Sequence, residues 1–452
     1  WGFLTNQATN LKEAQRIFTT LLSIGEQRRN RILMGVAYTG LAQYHHQVAE
    51  MDRALNAANQ AVLLLENLPD LFERANALYT RGSIFIIFSQ FRNARQDLET
   101  VLSITADATD ANTSEIRALS ESLLAIIYNL QGLPIQAEQL ASQARGAAKK
   151  IQSPFAESNA LVSLVMSNFY QFKYNETIQL VEEGIQFSQA HQFWHNLGYL
   201  HFFRALVFLS RGYLDQCWTT LQTLHMIAVN HRCEDLLASE WLVRGQMHRF
   251  LWNFPAALEC FQQGQSVAYG GQDRLELLTQ QAIVLGMAGQ FEESAQLFET
   301  VLQQSKVAGV GLVYYPALTA RLGALALGLP AQQLLAYADF ARQEIQACEI
   351  YDVHEFINYG LAITHLRAGN FDQALSLAAR FNQYAQSAES PWLKVIDYTL
   401  QKIFAGATGQ TVSEAARLNM QATLEFLDHH IQHPDLHQNF ESFRELLLTQ
   451  IL

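Results

Sequence analysis

Small and large apolar residues return along this chain at helical spacings, nested inside a much longer period. Ser294, within "GQFEESAQLF" (289–298), serves as an anchor. Its equivalents are Ala14, Ala54, Ala94, Ala137, Thr177, Cys217, Ala257, Leu334, Ala374 and Ala415, or equally Ala416. The successive gaps are 40, 40, 43, 40, 40, 40, 37, 40, 40 and 41 residues. Three residues before the anchor stand Leu11, Met51, Phe91, Tyr174, Leu214, Phe254, Phe291 and Phe371, with Pro134 and Ala331 as exceptions. Four residues after it come Phe18, Leu98, Val181, Leu221, Phe261 and Phe298. Twelve residues before it, small residues recur at Gly2, Ala42, Gly82, Ala125, Ala205, Gly245, Ala282 and Ala362.

Offsets of three, four and seven place residues on one face of an α-helix. The pattern therefore predicts a helical hairpin. Helix A carries the small residue at minus twelve and helix B carries the small anchor, so the two axes approach closely. The large residue at minus three is expected to plug the turn of its own hairpin, and the one at plus four to reach the next layer. Each hairpin leaves an apolar face that a neighbour must cover. The expected fold is all-α: a right-handed α-solenoid of about eleven antiparallel helix pairs with a ~40-residue period.

Prolines refine the boundaries. Pro134, Pro255 and Pro330 are predicted at the A–B turn or the first turn of helix B. Pro69, Pro154, Pro316 and Pro391 are predicted between repeats or at the start of helix A, and none in a helix interior. The three extra residues of the 43-residue repeat are assigned to "ADATDANTS" (106–114). Phe440, Phe443, Leu447 and Ile451 form one apolar stripe after Pro434, as a terminal cap would. The expected organisation is a repeat array over 1–433 and a capping helix over 434–452.

Composition narrows the partners. The 452 residues exceed what one compact core holds, about 250–300 residues. A net charge of −12, with no basic run longer than "EQRRNR" (26–31), argues against nucleic acid and anionic membranes. No apolar run approaches the roughly 18 residues of a membrane span. Four cysteines without a CxxC pair fit a reducing, cytoplasmic setting. The chain begins at Trp1 and carries no signal peptide, so it is read as a piece of a longer protein or a trimmed chain.

"GQFEESAQLFETVL" (289–302), "GNFDQALSLA" (369–378) and "GLPIQAEQLASQA" (132–144) resemble the second helix of tetratricopeptide repeats. The turn glycine, the aromatic, the small anchor and its follower all match. The resemblance covers essentially the whole chain, with two departures. The family period is about 34 residues, and its closing proline is mostly missing here. Longer helices or loops should make up the difference. Arrays of this kind resemble the C-terminal sensor ends of bacterial signalling proteins: maltose-operon-activator-like regulators, signal-transduction ATPases, and kinase or cyclase fusions. "LEFLDHHIQHPDLHQNFESFREL" (424–446) resembles the way such tails finish. The resemblance implies a non-catalytic superhelix that binds a protein or peptide partner, or a small-molecule inducer, in its concave groove. A stand-alone scaffold and an enzyme with an unrecognised site remain alternatives.

No phosphate-binding Gly-Lys-Ser/Thr, HExxH or GxSxG motif occurs, so no catalytic residue, cofactor or metal site is assigned. His429 and His433 have metal-ligand spacing, but Pro434 should end their helix. His225, His231 and Cys233 form a second loose group. Two columns carry binding potential. Thirteen residues before the anchor stand Arg81, Arg204, Arg244, Arg321 and Lys402, five basic residues in eleven copies. They either face an acidic ligand or pack between helices and pair internally. The face of helix A opposite helix B gives Val162, Met166 and Phe169, then Phe202, Leu206 and Leu209, with Tyr170 and Tyr199 nearby. This stripe reads either as a ligand groove within residues 159–250 or as tight inner packing. The candidate ligand-binding residues are Val162, Met166, Phe169, Tyr199, Phe202, Leu206, Leu209, Arg204, Arg244 and Arg321.

Overall fold

A computed structural model describes residues 11–449 except 49, 69, 234 and 269. Among the described residues all regular structure is helical, in 22 α-helices and one short 3₁₀ turn. In chain order the α-helices are α1 (Leu11–Gln27), α2 (Arg31–Gln47), α3 (Met51–Leu65), α4 (Leu71–Ile87), α5 (Phe91–Ile104), α6 (Ala111–Leu130), α7 (Pro134–Lys150) and α8 (Pro154–Tyr170). There follow α9 (Tyr174–Ala190), α10 (Trp194–Ser210), α11 (Leu214–Asn230), α12 (Leu236–Phe250), α13 (Phe254–Val267), α14 (Gly271–Met287), α15 (Phe291–Ala308) and α16 (Gly311–Leu325). The last are α17 (Ala331–Glu344), α18 (Tyr351–Arg367), α19 (Phe371–Ser387), α20 (Pro391–Thr408), α21 (Glu414–His429) and α22 (Pro434–Thr449). Odd-numbered helices carry the anchors and even-numbered helices are the A type. This is the expected all-α solenoid of antiparallel pairs.

The long period comes from the helices, not the loops. Many helices have 17 residues, and two of them with two three-residue turns fill 40 positions. In the 37-residue repeat α13 is only 14 residues long. In the 43-residue repeat the extra length goes largely to α6, with 20 residues, which starts at Ala111 inside the stretch expected to be loop. Asp110 caps it by accepting from the Thr113 N–H at 2.8 Å.

Both kinds of turn are closed by left-handed residues at fixed columns. Five residues before the anchor, φ is positive at Ser89, Gly132, Phe172, Gly212, Trp252, Gly289 and Gly369. Fifteen after it, φ is positive at Arg29, Gln152, Gln192, Arg232 and Gly309. Gly289 shows why glycine suits this place: the Gln290 N–H reaches back to the Leu285 carbonyl at 2.9 Å, which requires φ near +80° at Gly289. The turn then delivers Phe291 as the first residue of α15.

The anchor column is the most buried feature of the array. Ala54, Ala94, Ala137, Thr177, Cys217, Ala257, Ser294 and Ala374 are all completely buried. Ser294 Oγ donates to the carbonyl of Ala282, its minus-twelve partner, at 2.7 Å. At Gly245 a Cβ would lie 2.2 Å from the Phe261 ring, so only glycine fits. Here the plus-four residue packs on the A helix of its own hairpin, as Leu98 does on Gly82. Phe18 does reach the next layer, where it covers Gly40. Phe291 behaves otherwise than expected: it lies against Gly328, in the turn of the following hairpin. For the last copy, Ala416 is half-buried and Ala415 exposed, which settles the register on Ala416.

Pro316 corrects the proline reading, since it lies inside α16. It is the sixth residue of that helix, so its missing N–H removes the bond that would have gone to the Leu312 carbonyl. Pro134, Pro154, Pro391 and Pro434 each open a helix, and Pro255 is the second residue of α13.

Two compact units divide the array. One runs to Asn168 and includes Glu182–Leu197; the other holds Phe169–Val181 and everything from Gly198. In the first unit a polar seam ties A helices together. Asn129 donates to Ser167 Oγ at 2.9 Å, Ser163 to the Ser122 carbonyl at 3.1 Å, and Asn196 to Ser158 Oγ at 2.9 Å. In the second unit the chain meets itself after about four and a half periods. Arg211 pairs with Glu389 at 2.7 Å, and Trp392 Nε1 donates to the Leu209 carbonyl at 2.6 Å. Phe250 stacks on Trp392 with centroids 4.8 Å apart. Asp215 accepts from the Gln432 and His433 N–H groups at 2.8 and 3.0 Å. Trp252 meets Phe443 edge-on at 5.1 Å. These contacts seat α22, whose Phe440, Phe443 and Leu447 are buried; Ile451 lies outside the described residues.

The Gly245–Phe261 contact makes a sharp test. Gly245→Ala should cost about 1–3 kcal/mol through overpacking. Adding Phe261→Leu should relieve part of that cost, measured as coupling in a double-mutant cycle by urea unfolding.

Candidate functional site: the A-helix face of the second unit

The apolar stripe expected to line a groove is largely spent on packing. In the first unit Val162 and Met166 of α8 are buried. In the second, Phe202, Leu206 and Leu209 of α10 are buried, and Phe169 and Tyr199 remain half-buried. Each A helix touches its own B helix and A helices on both sides, so few of its positions are left over. Phe169 is wedged among Tyr170, Tyr174 and Phe203, with centroids 5.3, 5.9 and 5.7 Å away.

The basic column mostly pairs within the protein. Arg81 grips Asp97 with two bonds of 2.7 Å. Arg244 donates to Glu240 at 2.7 Å and lies 4.6 Å from the Trp218 ring. Arg321 contacts Glu299 at 3.1 Å and covers Tyr337 at 4.6 Å. Lys402, which the Ala416 register moves one place out of the column, donates to the Leu447 carbonyl at 2.9 Å. Arg204 lies 5.5 Å from the Phe208 ring. The carboxylate partners fall at different repeat positions, so no sequence column announces them.

Sequence reasoning missed the carboxyls of this unit. Asp273 and Glu276 of α14 are half-buried, with protein on most sides. Poor hydration pushes Asp273 up to about 6, and Asp235 adds repulsion. Glu276 is pushed up to about 7 by burial, with Asp273 adding. Tyr170 feels Glu276, and Tyr199 feels Asp235 and Asp273; burial raises both phenols. Further along, burial pushes Asp352 up to about 7, opposed by the bond it accepts from the Tyr384 hydroxyl. Nothing in the repeat pattern marks these residues, because they sit at the starts of A helices, where acidic side chains also suit the helix dipole.

The histidine groups resolve simply. α21 ends at His429 and Pro434 opens α22, so His429 and His433 do not share a helix. His225 Nδ1 bonds Glu240 at 2.8 Å. His437 instead lies 3.8 Å from Asp428 and 3.9 Å from Glu441, a partly exposed group. Cys217 fills an anchor position, its thiol pushed up by burial. Among the described residues no helix is long and apolar enough to cross a membrane.

No family model matches the chain, and no curated protein matches it in sequence. Solved structures do resemble it in fold. A Rap protein complexed with competence and sporulation factor has a TM-score of 0.59 at 10% identity. That match covers 78% of this chain and 98% of the Rap chain. Yeast Tom70 has a TM-score of 0.38 at 13% identity, over 99% of this chain and 94% of its own. The Cut9–Hcn1 hetero-tetramer of the APC/C has 0.36 at 11%, over 95% and 96%. The fold is thus tetratricopeptide-like.

The raised carboxyls set a pH dependence. A carboxyl whose folded pKa exceeds its unfolded value stabilises the fold at low pH and loses that contribution as pH rises through the folded value. Between about pH 5 and 8 stability should fall as Glu276 and Asp352 ionise, most steeply below the folded value of about 7. Urea unfolding of the Glu276→Gln, Asp352→Asn double variant should show a flatter profile in that window.

Proposed function

We propose that this chain is a non-catalytic sensing superhelix, the regulatory part of a bacterial multidomain signalling protein of the cytoplasm. Its A-helix face in the second unit binds a protein or peptide partner, or a small-molecule inducer. The observation that carries this reading is a division of labour between columns. Among the described residues most anchor and minus-twelve positions are buried in packing, whereas half-buried A-helix positions change chemistry from repeat to repeat. Tyr199, Arg204, Gln246, Arg249, Asp273 and Glu276 are the residues left to meet a ligand. The fold likeness to a Rap protein that was captured with competence and sporulation factor adds support.

The mechanism follows from the self-contacts at residues 209–253 and 389–443 of this unit. A ligand that prefers one winding of the helices shifts the population toward it, and a domain attached to the array responds. A stand-alone scaffold would share the binding face and lack that domain. An enzyme reading would start from Asp273 and Glu276, but burial alone accounts for most of their shift.

Thermal-shift screening of short peptides and small metabolites tests the reading. A ligand at one hundred times its Kd should add about 2.7 kcal/mol of stability. That gain should disappear in Tyr199→Ala combined with Arg204→Gln and persist in Glu292→Gln, on the exposed face of α15. A binder equally affected by Glu292→Gln would contradict the assigned face.

A further inference from the structure

We propose that Arg249 forms an oxyanion subsite, binding a carboxylate or phosphate group of the ligand that the A-helix face accepts. The inference rests on the sensing role proposed above and adds the ligand's chemical class.

Arg249 closes α12, on the same helix face as Leu242 and Gln246. Its guanidinium lies 4.4 Å from the Phe250 ring, and Phe250 stacks in turn on Trp392. Its Nε is shielded from solvent and has no hydrogen-bond partner. Among the described residues its side chain has no carboxylate partner either. Three other part-buried arginines of the unit are matched: Arg211 by Glu389, Arg244 by Glu240 and Arg321 by Glu299. Burial alone pulls Arg249 down to about 10, with no nearby charge to restore it. Gln246, one turn earlier, is half-buried.

A purely structural role explains this poorly. The carbonyls ending α12 and the Phe250 face attract a cation, but neither replaces the hydration that a guanidinium loses. Methionine would fill the same space against Phe250 without a charge. A planar fork with free N–H groups is the arrangement that receives carboxylate or phosphate through two parallel bonds. The minus-eight positions beside it are small in the next two repeats, Gly286 and Ala326, and bring no competing acid.

The test uses inorganic phosphate and acetate as probes, in thermal shift against sodium chloride at equal ionic strength. Phosphate stabilises many proteins by exclusion. The readout is therefore the difference between the unaltered chain, Arg249→Gln, and Arg92→Gln, an exposed control. The anion-specific rise in melting temperature should vanish in Arg249→Gln, survive in Arg92→Gln and weaken several-fold in Arg249→Lys. Response to phosphate alone would mark a phosphate group, and response to both a carboxylate as well. Without added anion, Arg249→Met should melt higher than the unaltered chain. An equal anion response in Arg249→Gln, or a lower melting temperature for Arg249→Met, would overturn the subsite. If a screened ligand binds Arg249→Gln undiminished yet is lost in the Tyr199→Ala, Arg204→Gln pair, the subsite fails and the sensing role stands.

Discussion

The structure depends on the contact between two small side chains that recurs in most hairpins. Where Ala54 meets the Ala42 region, or Ser294 bonds the Ala282 carbonyl, the helices come close enough for larger residues to interlock around them. Phe261 over Gly245 and Leu98 over Gly82 are that interlock. A fully buried phenylalanine contributes on the order of 2–3 kcal/mol, and the array repeats such contacts in most layers. Stability is thereby spread along the chain, as expected when each repeat meets chiefly its neighbours.

That arrangement divides the residues by task. B helices supply anchors and aromatics, and their exposed faces are left to water. A helices are flanked on three sides, which explains why α8 and α10 bury most of their positions. The half-buried A-helix side chains of the second unit include polar, aromatic and charged ones. They include an unmatched guanidinium and carboxyls whose ionisation is delayed to near neutral pH. The Arg249 guanidinium loses hydration without gaining an ionic partner, a cost that a packing role alone does not require.

The period, the hairpin and the helix limits were legible because they follow from local rules repeated many times. Ten sister copies identify Ser294 as a packing residue. The misreadings share a cause. Phe291 lands on Gly328, and Leu98 and Phe261 turn back onto Gly82 and Gly245 of their own hairpins, because which neighbour a helix face meets is a tertiary property with no mark in the segment. Pro316 sits inside α16 because neighbours hold that helix through the missing bond. The carboxylate partners of the arginines lie at unrelated columns, and the contacts of Leu209 with Trp392 and of Asp215 with His433 join residues more than four periods apart. Such pairings are set by how the helices wind, which no single repeat encodes.

The central claim is that ligand recognition belongs to the A-helix face of the second unit, with the B helices as scaffold. Hydrogen–deuterium exchange of the chain with a screened ligand bound tests it most directly. The account predicts slowed exchange in α10, α12 and α14, with the outer turns of α11, α13 and α15 unchanged. Protection confined to those B helices, with α10, α12 and α14 exchanging as before, would contradict it.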